Sequence, residues 1–520
     1  MMKDKELNVQ AASDFFVLYW GKPEGRVKEY QVFVNGELSA TVEKTHYTVE
    51  HLVPETEYSL KVVTVFEEDS CETQYTGMFH TVWDTPVVLE MTAVTTKEKR
   101  RIDITGEPYC AVGDGVTMNT AAIQKAFDDC KPDEQIYFPA GVFMTAALRI
   151  HSNTEIYLEE GAVLKGTENP EDYLPRIHSR FEGYEMECYS SLLNIGVLDR
   201  NAGYTTENIV LRGKGTIESG GQKLGLKIID LETARLKAYL ESLGDKIKEY
   251  EKEETISGRA RPRLINISNC QNVWISGLTI KNGASWNVHM IYSDNILTNH
   301  CVFESLGTWN GDGWDPDSST NCTIFDCIFH TDDDGVAIKS GKNPEGNIIN
   351  RPTKHVRIFD CISLSGNGIA IGSEMSGGVA DVKVWDCDFI KSRWGIQVKG
   401  TKKRGGYVTD VHARDCKTSK ILYHTVLYND DGIGSEVPPV FADASFKNIV
   451  VDGKYAKEFD LMESYELPAV KLFGFDEPGY YLKNVELSDI TILDHAGDGR
   501  NQVFVKNCEN VTMNNITVKN

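Results

Sequence analysis

The sequence predicts an all-β protein in which a small β-sandwich precedes a right-handed parallel β-helix. The main observation is a repeat: in the second part of the chain, short β-branched strands follow an Asn, Asp or His about every 25 to 35 residues, with longer gaps at insertions. Apolar residues also alternate between turn signals in the first part. Finally, 520 residues exceed the size at which one compact core stops growing. We therefore assign residues 1–88 to the sandwich and residues 89–520 to the β-helix.

The N-terminal part carries the signals of short antiparallel strands. Alternating apolar residues around Trp20 and Leu60 predict strands, and Asn35-Gly36 is typical of a tight hairpin turn. Residues 52–58, LVPETEY, resemble the tyrosine corner of fibronectin type III modules, with Trp20 in the usual early core position. None of these residues indicates catalysis, so we expect a structural or substrate-orienting appendage.

The repeat of the second part predicts a stack of coils. It follows a helix that begins at Asn119 or Thr120. Its turn residues are Asn208, Asn272, Asn321, His355, Asp381, Asn484 and Asn510. Cys327, Cys361 and Cys387 hold the same place in successive repeats, so we expect an inward column of thiols rather than a redox or metal site. Residues 229–254 show helical spacing and form a predicted insertion, which either rims a cleft or is decoration.

Composition disfavours several partners and cofactors. The formal net charge of −23 argues against a nucleic-acid partner, and it means that an acidic substrate needs a local basic patch. No stretch approaches the roughly 18 apolar residues of a membrane span, and the first residues lack the apolar segment of a signal peptide. We therefore expect a cytoplasmic protein with no membrane partner. The 12 Cys form no CxxC pair, so they indicate neither a disulfide framework nor a zinc site. We also expect no metal and no cofactor.

Residues 310–341, NGDGWDPDSSTNCTIFDCIFHTDDDGVAIKSG, carry the strongest indication of chemistry. Asp312 and Asp334 are 22 residues apart (334 − 312), about one turn of a β-solenoid, so the two acidic clusters are expected to stack. Carboxylates on one face suit glycoside hydrolysis, in which one protonates the leaving oxygen and another activates water. Asp332 is interpreted as a turn residue. Taken alone, the acidic run also fits a turn or a calcium loop, because Asp and Gly are ordinary turn residues.

The chain from about Tyr109 to the C-terminus resembles glycoside hydrolase family 28, the polygalacturonases and their relatives. The most diagnostic segments are Asn310-Gly311-Asp312-Gly313 and Asp333-Asp334, which are similar to the family's Asn-Thr-Asp-Gly and Asp-Asp motifs. The resemblance implies that Asp333 is the general acid, while Asp312 and Asp334 hold and deprotonate the attacking water. Adjacent strand residues face opposite sides, so we expect a kink or bulge that lets Asp333 and Asp334 share the cleft. Crowding of the carboxylates predicts a raised pKa for one of them.

Two further family motifs are only partly kept. Asn367 replaces the His of Gly-His-Gly, and Gln397 replaces the Arg of Arg-Ile-Lys, which removes a bidentate grip on a carboxylate. These changes leave hydrolysis intact and question plain polygalacturonate as the substrate. Residues 391–404 contain six Lys or Arg and no acid, which is the basic patch that an anionic sugar needs. The candidate substrate-binding residues are Lys399, Asn367, Gln397, Arg393, Arg404, Trp286, His289 and Arg263.

These observations, with the resemblance, predict an inverting, metal-independent glycoside hydrolase that acts on α-linked galacturonic acid or a related pectic sugar. We expect exo action on a pectic oligosaccharide, because the appended module and the insertion are each able to close one end of a cleft. One alternative is a hydrolase of a substituted pectic glycan such as rhamnogalacturonan or xylogalacturonan. Two others are a β-helix pectic lyase and a carbohydrate-binding solenoid without catalysis. The sequence leaves the oligomeric state open.

Overall fold

The computed structural model of the chain describes residues 2–67, 87–249, 257–427, 433–452, 468–494 and 502–519. It forms two compact units. The first comprises residues 1–101 with 133–135, and the second comprises residues 102–132 with 136–520. None of the helices in the described ranges is both long enough and apolar enough to span a bilayer.

In the described residues, the first unit contains two antiparallel sheets, as the sequence predicts. Their strands are β1 (Asn8–Ala11), β2 (Phe16–Tyr19), β3 (Val27–Val34), β4 (Glu37–Val42), β5 (His46–Val49), β6 (Glu57–Phe66) and β7 (Val88–Val94). The next strand, β8 (Arg100–Asp103), belongs to the large sheet that contains β9 (Asp114–Met118) and β10 (Glu134–Phe138). The strand orders are β1-β2-β5 and β4-β3-β6-β7. The Val53 N–H donates a 2.9 Å hydrogen bond to the Tyr58 hydroxyl, which confirms the tyrosine corner. Trp20 is buried against Tyr30, with ring centroids 5.3 Å apart.

The second unit is a parallel β-helix with three rows of strands, which confirms the predicted fold. The first row consists of β10 (Glu134–Phe138), β13 (Glu155–Leu158), β18 (Thr206–Gly213), β21 (Cys270–Ser276), β24 (Asp294–Asn299), β27 (Thr320–Phe325), β30 (Thr353–Phe359), β33 (Val379–Trp385), β36 (Tyr407–Thr418), β38 (Val440–Val451), β40 (Leu482–Leu493) and β42 (Cys508–Lys519). The second row consists of β9 (Asp114–Met118), β11 (Gly141–Thr145), β14 (Ala162–Gly166), β19 (Thr216–Glu218), β22 (Thr279–Lys281), β25 (Val302–Ser305), β28 (Ile328–Thr331), β31 (Ile362–Ser363) and β34 (Asp388–Phe389), and it merges into the first row at β36.

The third row holds the residues of interest for function. It consists of β12 (Leu148–Ile150), β17 (Leu193–Ile195), β20 (Ile265–Ser268), β23 (Val288–Ile291), β26 (Trp314–Asp317), β29 (Val336–Ile338), β32 (Ile369–Ile371), β35 (Ile396–Gly400), β37 (Ile421–Thr425), β39 (Val470–Phe473) and β41 (Val503–Lys506). A hairpin of β15 (Ile177–Phe181) and β16 (Tyr184–Cys188) lies against this row. Neighbouring strands are about 4.8 Å apart, so each coil advances the row by that distance.

The coils bend at residues with left-handed backbone. All seven predicted turn residues, from Asn208 to Asn510, have φ between 54° and 59°. Asn and Asp reach this region at low cost because their short polar side chains form local hydrogen bonds. Here the side chains also bond to one another along the axis: Asn295 donates to Asn272, and Asn272 donates to Asn208, over 2.8 and 3.0 Å. The recurrent Asn, Asp or His of the sequence therefore sets the shape of the coil.

The interior is one continuous apolar column. Cys327, Cys361 and Cys387 are free, buried members of it, which confirms the predicted thiol column. Equivalent positions of successive coils stack, so the place of a residue in the repeat fixes its place along the axis. This rule also positions the functional residues.

Three α-helices that lie wholly within the described residues accompany the strands. They are α1 (Thr120–Asp129), α2 (Gly221–Leu243) and α3 (Glu345–Ile349), and the 3-10 helices are Pro170–Tyr173, Gly244–Glu249 and Lys402–Arg404. Helix α2 is the predicted insertion. It begins earlier than residue 229, and its Leu224 and Ile228 pack into the core of the second unit. Residues 250–254 of the predicted insertion lie outside the described residues.

Candidate active site

A column of side chains precedes the strands of the third row. Trp286, Asp312, Asp334 and Asn367 each stand two residues before a strand, namely β23, β26, β29 and β32. Parallel pairing aligns these strands, since Val288 pairs with Trp314, Trp314 with Val336 and Val336 with Ile369. Asp312 and Asp334 therefore occupy equivalent positions in adjacent coils, and the Gly313 N–H donates a 2.9 Å hydrogen bond to Asp334 O. The predicted stacking of the two acidic clusters is confirmed.

The glycine after Asp312 lets the two coils approach closely. A Cβ on Gly313 would lie 2.5 Å from Gly335 O and would meet the Phe329 ring. Any larger residue would therefore push the coils apart at the point where the two carboxylates lie side by side. The Asp-Gly pairs of the sequence are thus explained by packing as well as by turn preference.

Asp333 and Asp334 share the cleft because they lie in a turn. Strand β28 ends at Thr331 and β29 begins at Val336, so the pair lies in a bend between two strands and escapes the alternation of a strand, which confirms the predicted kink. The Asn367 amide donates 2.8 Å hydrogen bonds to Oδ1 of both carboxylates. The Asp334 N–H also donates to Asp333 Oδ1 over 2.9 Å. Asn367 thus supplies the donor that bridges the two acids.

Burial raises the pKa of Asp333, and the neighbouring Asp334 charge adds to the effect. Burial also raises the pKa of Asp312 well above its usual range, against the opposing charge of Lys339. So many carboxylates in one small volume cannot all ionise easily. The site therefore keeps at least one carboxyl protonated at a pH where an exposed aspartate has lost its proton, as a general acid requires.

A buried lysine lies behind the acids. Lys339 Nζ is 3.2 Å from Asp312 Oδ2, 3.8 Å from Asp315 Oδ2 and 4.0 Å from Glu374 Oε1. Burial lowers the pKa of Lys339, but the carboxylates of Glu374, Asp312 and Asp315 outweigh it and raise that pKa well above its ordinary value. Lys339 is therefore a permanent cation that partly neutralises the acidic cluster.

These groups open onto a cavity of about 240 Å³. Its lining is charged with both signs, and two tryptophans complete it. The lining residues are Glu182, Trp286, Trp309, Asn310, Asp312, Asp333, Asp334, Lys339, Lys342, Gly372, Ser373, Glu374, Lys399 and Arg404. Such a mixture suits a sugar that carries both hydroxyls and a carboxylate, since each sign has a partner in the wall.

The hairpin β15–β16 closes one side of this cavity. Its Arg180 donates a 2.7 Å hydrogen bond to Asp317 on β26, and both side chains are fully buried. Burial raises the pKa of Asp317, but Arg180 outweighs it and holds that pKa at about 2. The pair therefore stays ionised and fastens the hairpin, whose tip brings Glu182 to the cavity wall.

Three of the predicted binding residues lie under this hairpin. Trp286 lines the cavity, but it is 2% exposed, and its ring stacks on Phe181 at 4.6 Å. His289 is buried and lies 3.2 Å from Asp317 Oδ2, and burial lowers its pKa to about 4, so it is neutral near pH 7. Arg263 is fully buried and donates to Ser179 Oγ over 2.7 Å. Neither His289 nor Arg263 is among the described residues that line the cavity.

The other predicted binding residues divide into two groups. Lys399 and Arg404 line the cavity, and Lys399 Nζ is 3.8 Å from Asp334 Oδ2. Gln397 and Arg393 are outside the described lining. The Gln397 amide nitrogen is buried 2.8 Å from His424 Nε2, which accounts for its orientation. Two residues of the basic patch at residues 391–404, Lys399 and Arg404, therefore line the same cavity as the acids.

Several cavity residues were not predicted from the sequence. They are Lys339, Lys342, Glu374, Glu182 and Trp309. Lys339 follows Asp334 by five residues (339 − 334). This closeness of a lysine to the acidic run is the sequence signal that could have identified Lys339 as a site residue. Arg261 has a supporting role: its guanidinium lies 4.6 Å from the centre of the Trp309 ring and donates to Asn310 Oδ1 over 2.6 Å.

Comparison with known proteins agrees with this geometry. A family model for glycosyl hydrolases family 28 matches residues 196–453, which include every acid of the column. The second unit belongs to glycosyl hydrolase family 28. A fibronectin type III model matches residues 5–74. The family 28 chain is therefore a glycoside hydrolase with an N-terminal fibronectin type III domain, as predicted.

Relatives of this family 28 hydrolase include exo-acting enzymes. It is 26% identical over 493 residues to an exo-poly-alpha-D-galacturonosidase of Dickeya chrysanthemi, covering 84% of this chain and 79% of the relative. It is 34% identical over 319 residues to a probable polygalacturonase of Vitis vinifera, covering 59% and 58%. Among solved structures, a family 28 exopolygalacturonase of Yersinia enterocolitica has the same fold, with a TM-score of 0.75, 20% identity and coverage of 99% and 98%. An exopolygalacturonase of Thermotoga maritima gives 0.65 at 25% identity, with coverage of 81% and 92%.

Proposed function

We propose that the chain is an exo-acting hydrolase of α-linked galacturonan, which releases galacturonate from one end of a pectic oligosaccharide. The observation that carries the proposal is the cavity in which Asp312, Asp333 and Asp334 meet cationic side chains. The names of the relatives from Dickeya chrysanthemi and Thermotoga maritima describe exo-acting enzymes of this polymer. The net charge of −23 repels an anionic sugar at long range, and the cationic side chains of the cavity attract it locally.

Exo action is supported by the shape of the third row. On one side of the acids, the outward residues of β23 and β26, His289 and Asp317, are fully buried beneath the hairpin β15–β16. On the other side, Phe504 and Lys506 of β41 are exposed on the same row. A substrate chain is therefore stopped at the hairpin and extends only toward the later coils. That arrangement favours cleavage of a terminal unit.

The proposed mechanism assigns the proton transfers to the three acids. Asp333, whose pKa is raised by burial and by Asp334, donates its proton to the leaving glycosidic oxygen. Asp312 and Asp334, side by side in adjacent coils, hold a water and accept its proton as the water attacks the anomeric carbon. The attack comes from the face opposite the leaving group, so the configuration inverts. Lys342, Lys399 and Arg404 in the wall bind the substrate carboxylate.

The product pattern on polygalacturonate tests the proposal. An exo-hydrolase releases monomer from the first minutes, and the viscosity of the polymer falls slowly. We expect galacturonate to be the dominant early product by anion-exchange chromatography, with intermediate oligomers absent. A rapid fall in viscosity with a ladder of oligomers would contradict exo action. No release from polygalacturonate or from its oligomers would contradict the proposed substrate.

A further inference from the structure

The third row of strands continues past the cavity and carries a second group of outward side chains. By register, Lys399 on β35 is next to His424 on β37, His424 is next to Phe473 on β39, and Phe473 is next to Lys506 on β41. The intervening residues of these strands, such as Leu472, point into the core. The line that begins at Lys399 in the cavity therefore runs along the outer face of the row to its last described strand.

At the end of this line, four side chains form what we call the Phe–Lys platform: Lys471, Phe473, Phe504 and Lys506. Alternate residues of a strand share a face, and Lys471 pairs with Phe504 while Phe473 pairs with Lys506. Each phenylalanine thus has a lysine beside it along its strand and another across the pair. Phe473 and Phe504 meet edge to face at 6.1 Å, and Lys471 Nζ and Lys506 Nζ lie 5.5 and 5.4 Å from the centre of the Phe473 ring.

The platform is accessible. Phe504 is 42% exposed, Lys506 is exposed and Phe473 is half-buried, which is unusual for two neighbouring aromatic rings. Lys471 Nζ and Lys506 Nζ lie over the Phe473 ring, and the neighbouring Phe504 ring is exposed. This arrangement matches an acidic pyranose, since the apolar C–H face of the sugar packs on the Phe504 ring and its carboxylate meets an ammonium. The protein as a whole is strongly acidic, so two lysines on one patch are a local attraction for an anion.

The platform is also at the right distance from the acids. Two strand spacings separate Lys399 from Phe473 and three separate it from Lys506, which is about 10 to 14 Å, or roughly two or three sugar rings. His424 lies between the two groups. Burial, together with the charges of Lys471 and Lys399, lowers its pKa to about 3. His424 is buried and is therefore neutral near pH 7. The positive charge along this line is carried by Lys399 on one side of this imidazole and by Lys471 and Lys506 on the other.

We propose that the Phe–Lys platform is a distal binding site for the acidic sugar chain that leaves the cavity, so that it engages uronate units beyond those next to the cleaved bond. This inference rests on the proposed function for the identity of the ligand, an oligouronide. It assigns to the platform a role in chain-length preference rather than in bond cleavage.

The test compares substrates of increasing length. The paired variant Phe504→Ala with Lys506→Met removes one ring and one charge, neither of which touches the cavity acids. We expect kcat/KM of the native enzyme to rise from the digalacturonate to the hexagalacturonate. The variant should match the native enzyme on the dimer and fall about five- to tenfold behind it on the hexamer, which is the combined effect of two exposed contacts of this kind. Lys165→Met, which removes a half-exposed lysine on β14 of the second row, is the matched control and should change neither substrate.

A binding measurement separates this proposal from the proposed function. In an Asp333→Asn background, which prevents turnover, calorimetry should show weaker binding of hexagalacturonate when the platform is altered and equal binding of digalacturonate. Equal values of kcat/KM and of affinity for the hexamer in both proteins would overturn the platform while leaving the hydrolase intact. Binding without hydrolysis by the native enzyme would overturn the hydrolase instead. A change in sedimentation behaviour in the variant, with unchanged sugar binding, would show that the patch joins two copies of this chain and would also overturn the platform.

Discussion

Removing the positive charge of Lys339 by Lys339→Met is the most informative perturbation of the site. Methionine has nearly the same length, so packing against Trp286 is kept, while the cation next to Asp312, Asp315 and Glu374 is lost. Among the described residues, neither oxygen of Asp315 receives a hydrogen bond, so this carboxylate depends on the nearby ammonium. Removing one partner from a buried ionic cluster costs about 3–5 kcal/mol, because the remaining charges are uncompensated.

The sign of the pH dependence follows from the acids. Burial already raises the pKa of Asp312 and Asp315, and loss of the ammonium raises both further. The folded variant then holds protons that the unfolded chain releases above about pH 4, so its stability falls as the pH rises from there. We expect a loss of about 3–5 kcal/mol in the free energy of unfolding at pH 8 and a clearly smaller loss at pH 5. The acid limb of kcat/KM should move to higher pH, because Asp312 must be ionised to accept a proton.

The assay is urea unfolding at the two pH values, together with a pH profile of kcat/KM on trigalacturonate. Lys281→Met is the control, because it removes a half-exposed lysine whose ion pair with Glu304 contributes only about 0–1 kcal/mol. A Lys339→Met protein with the same stability loss at pH 5 and pH 8, and with an unmoved acid limb, would refute the electrostatic role of Lys339.

Four further predictions concern the acids, their bridge, the N-terminal domain and metal ions. Asp333→Asn should lower kcat by about 10² to 10⁴ with unchanged unfolding, because the amide fills the same space but donates no proton; activity near the native level would exclude Asp333 as the acid. Asn367→Ala removes both 2.8 Å bonds to the acid pair and should lower kcat/KM at least about tenfold, whereas Asn367→His, which keeps a donor, should lose less; equal losses would show that the bridge is unimportant. Tyr58→Phe removes the hydroxyl of the tyrosine corner and should destabilise the first unit by about 1 kcal/mol without changing kcat/KM; an altered kcat/KM would show that this domain takes part in turnover. Exhaustive treatment with EDTA should leave activity unchanged, and dependence on added calcium would favour a metal-assisted reaction.

The repeat made the fold and the acid column predictable from the sequence. Each coil contributes one turn residue with left-handed backbone and one short strand, so residues 22 apart, such as Asp312 and Asp334, fall side by side. The same rule places Asn367 in the next coil, where it bridges Asp333 and Asp334. The position of a repeat residue along the β-helix axis follows from the number of coils that precede it, because each coil advances along the axis by one strand spacing.

The parts that sequence reasoning missed come from outside the repeat. Glu182 reaches the cavity from a hairpin 130 residues before Asp312 (312 − 182), and no periodicity connects the two. The same hairpin buries His289 and Arg263. Their sequence pattern therefore predicted cleft residues, whereas their side chains pack beneath the hairpin and support it. The predicted kink at Asp333 and Asp334 is confirmed, because the pair lies in a bend between Thr331 and Val336, where strand alternation does not apply.

The two departures from the family motifs, Asn367 and Gln397, differ in what their side chains contact. Asn367 touches both catalytic-type acids, so its substitution for His acts on the chemistry through hydrogen bonds. Gln397 lies 2.8 Å from His424 and outside the described lining of the cavity. The prediction that both positions mark a changed substrate stays a prediction, and the competition of oligogalacturonate with a decorated pectic oligosaccharide will decide it.

The central claim, inverting hydrolysis at the end of a galacturonan chain, is tested most directly by the first product of trigalacturonate followed by proton NMR. Inversion at an α-linked unit predicts that the released galacturonate appears first as the β anomer, with a saturated ring, before mutarotation sets in. The α anomer as first product would mean retention and a covalent intermediate. An unsaturated sugar would mean that the bond breaks by elimination, and the assignment of Asp312, Asp333 and Asp334 to hydrolysis would be wrong.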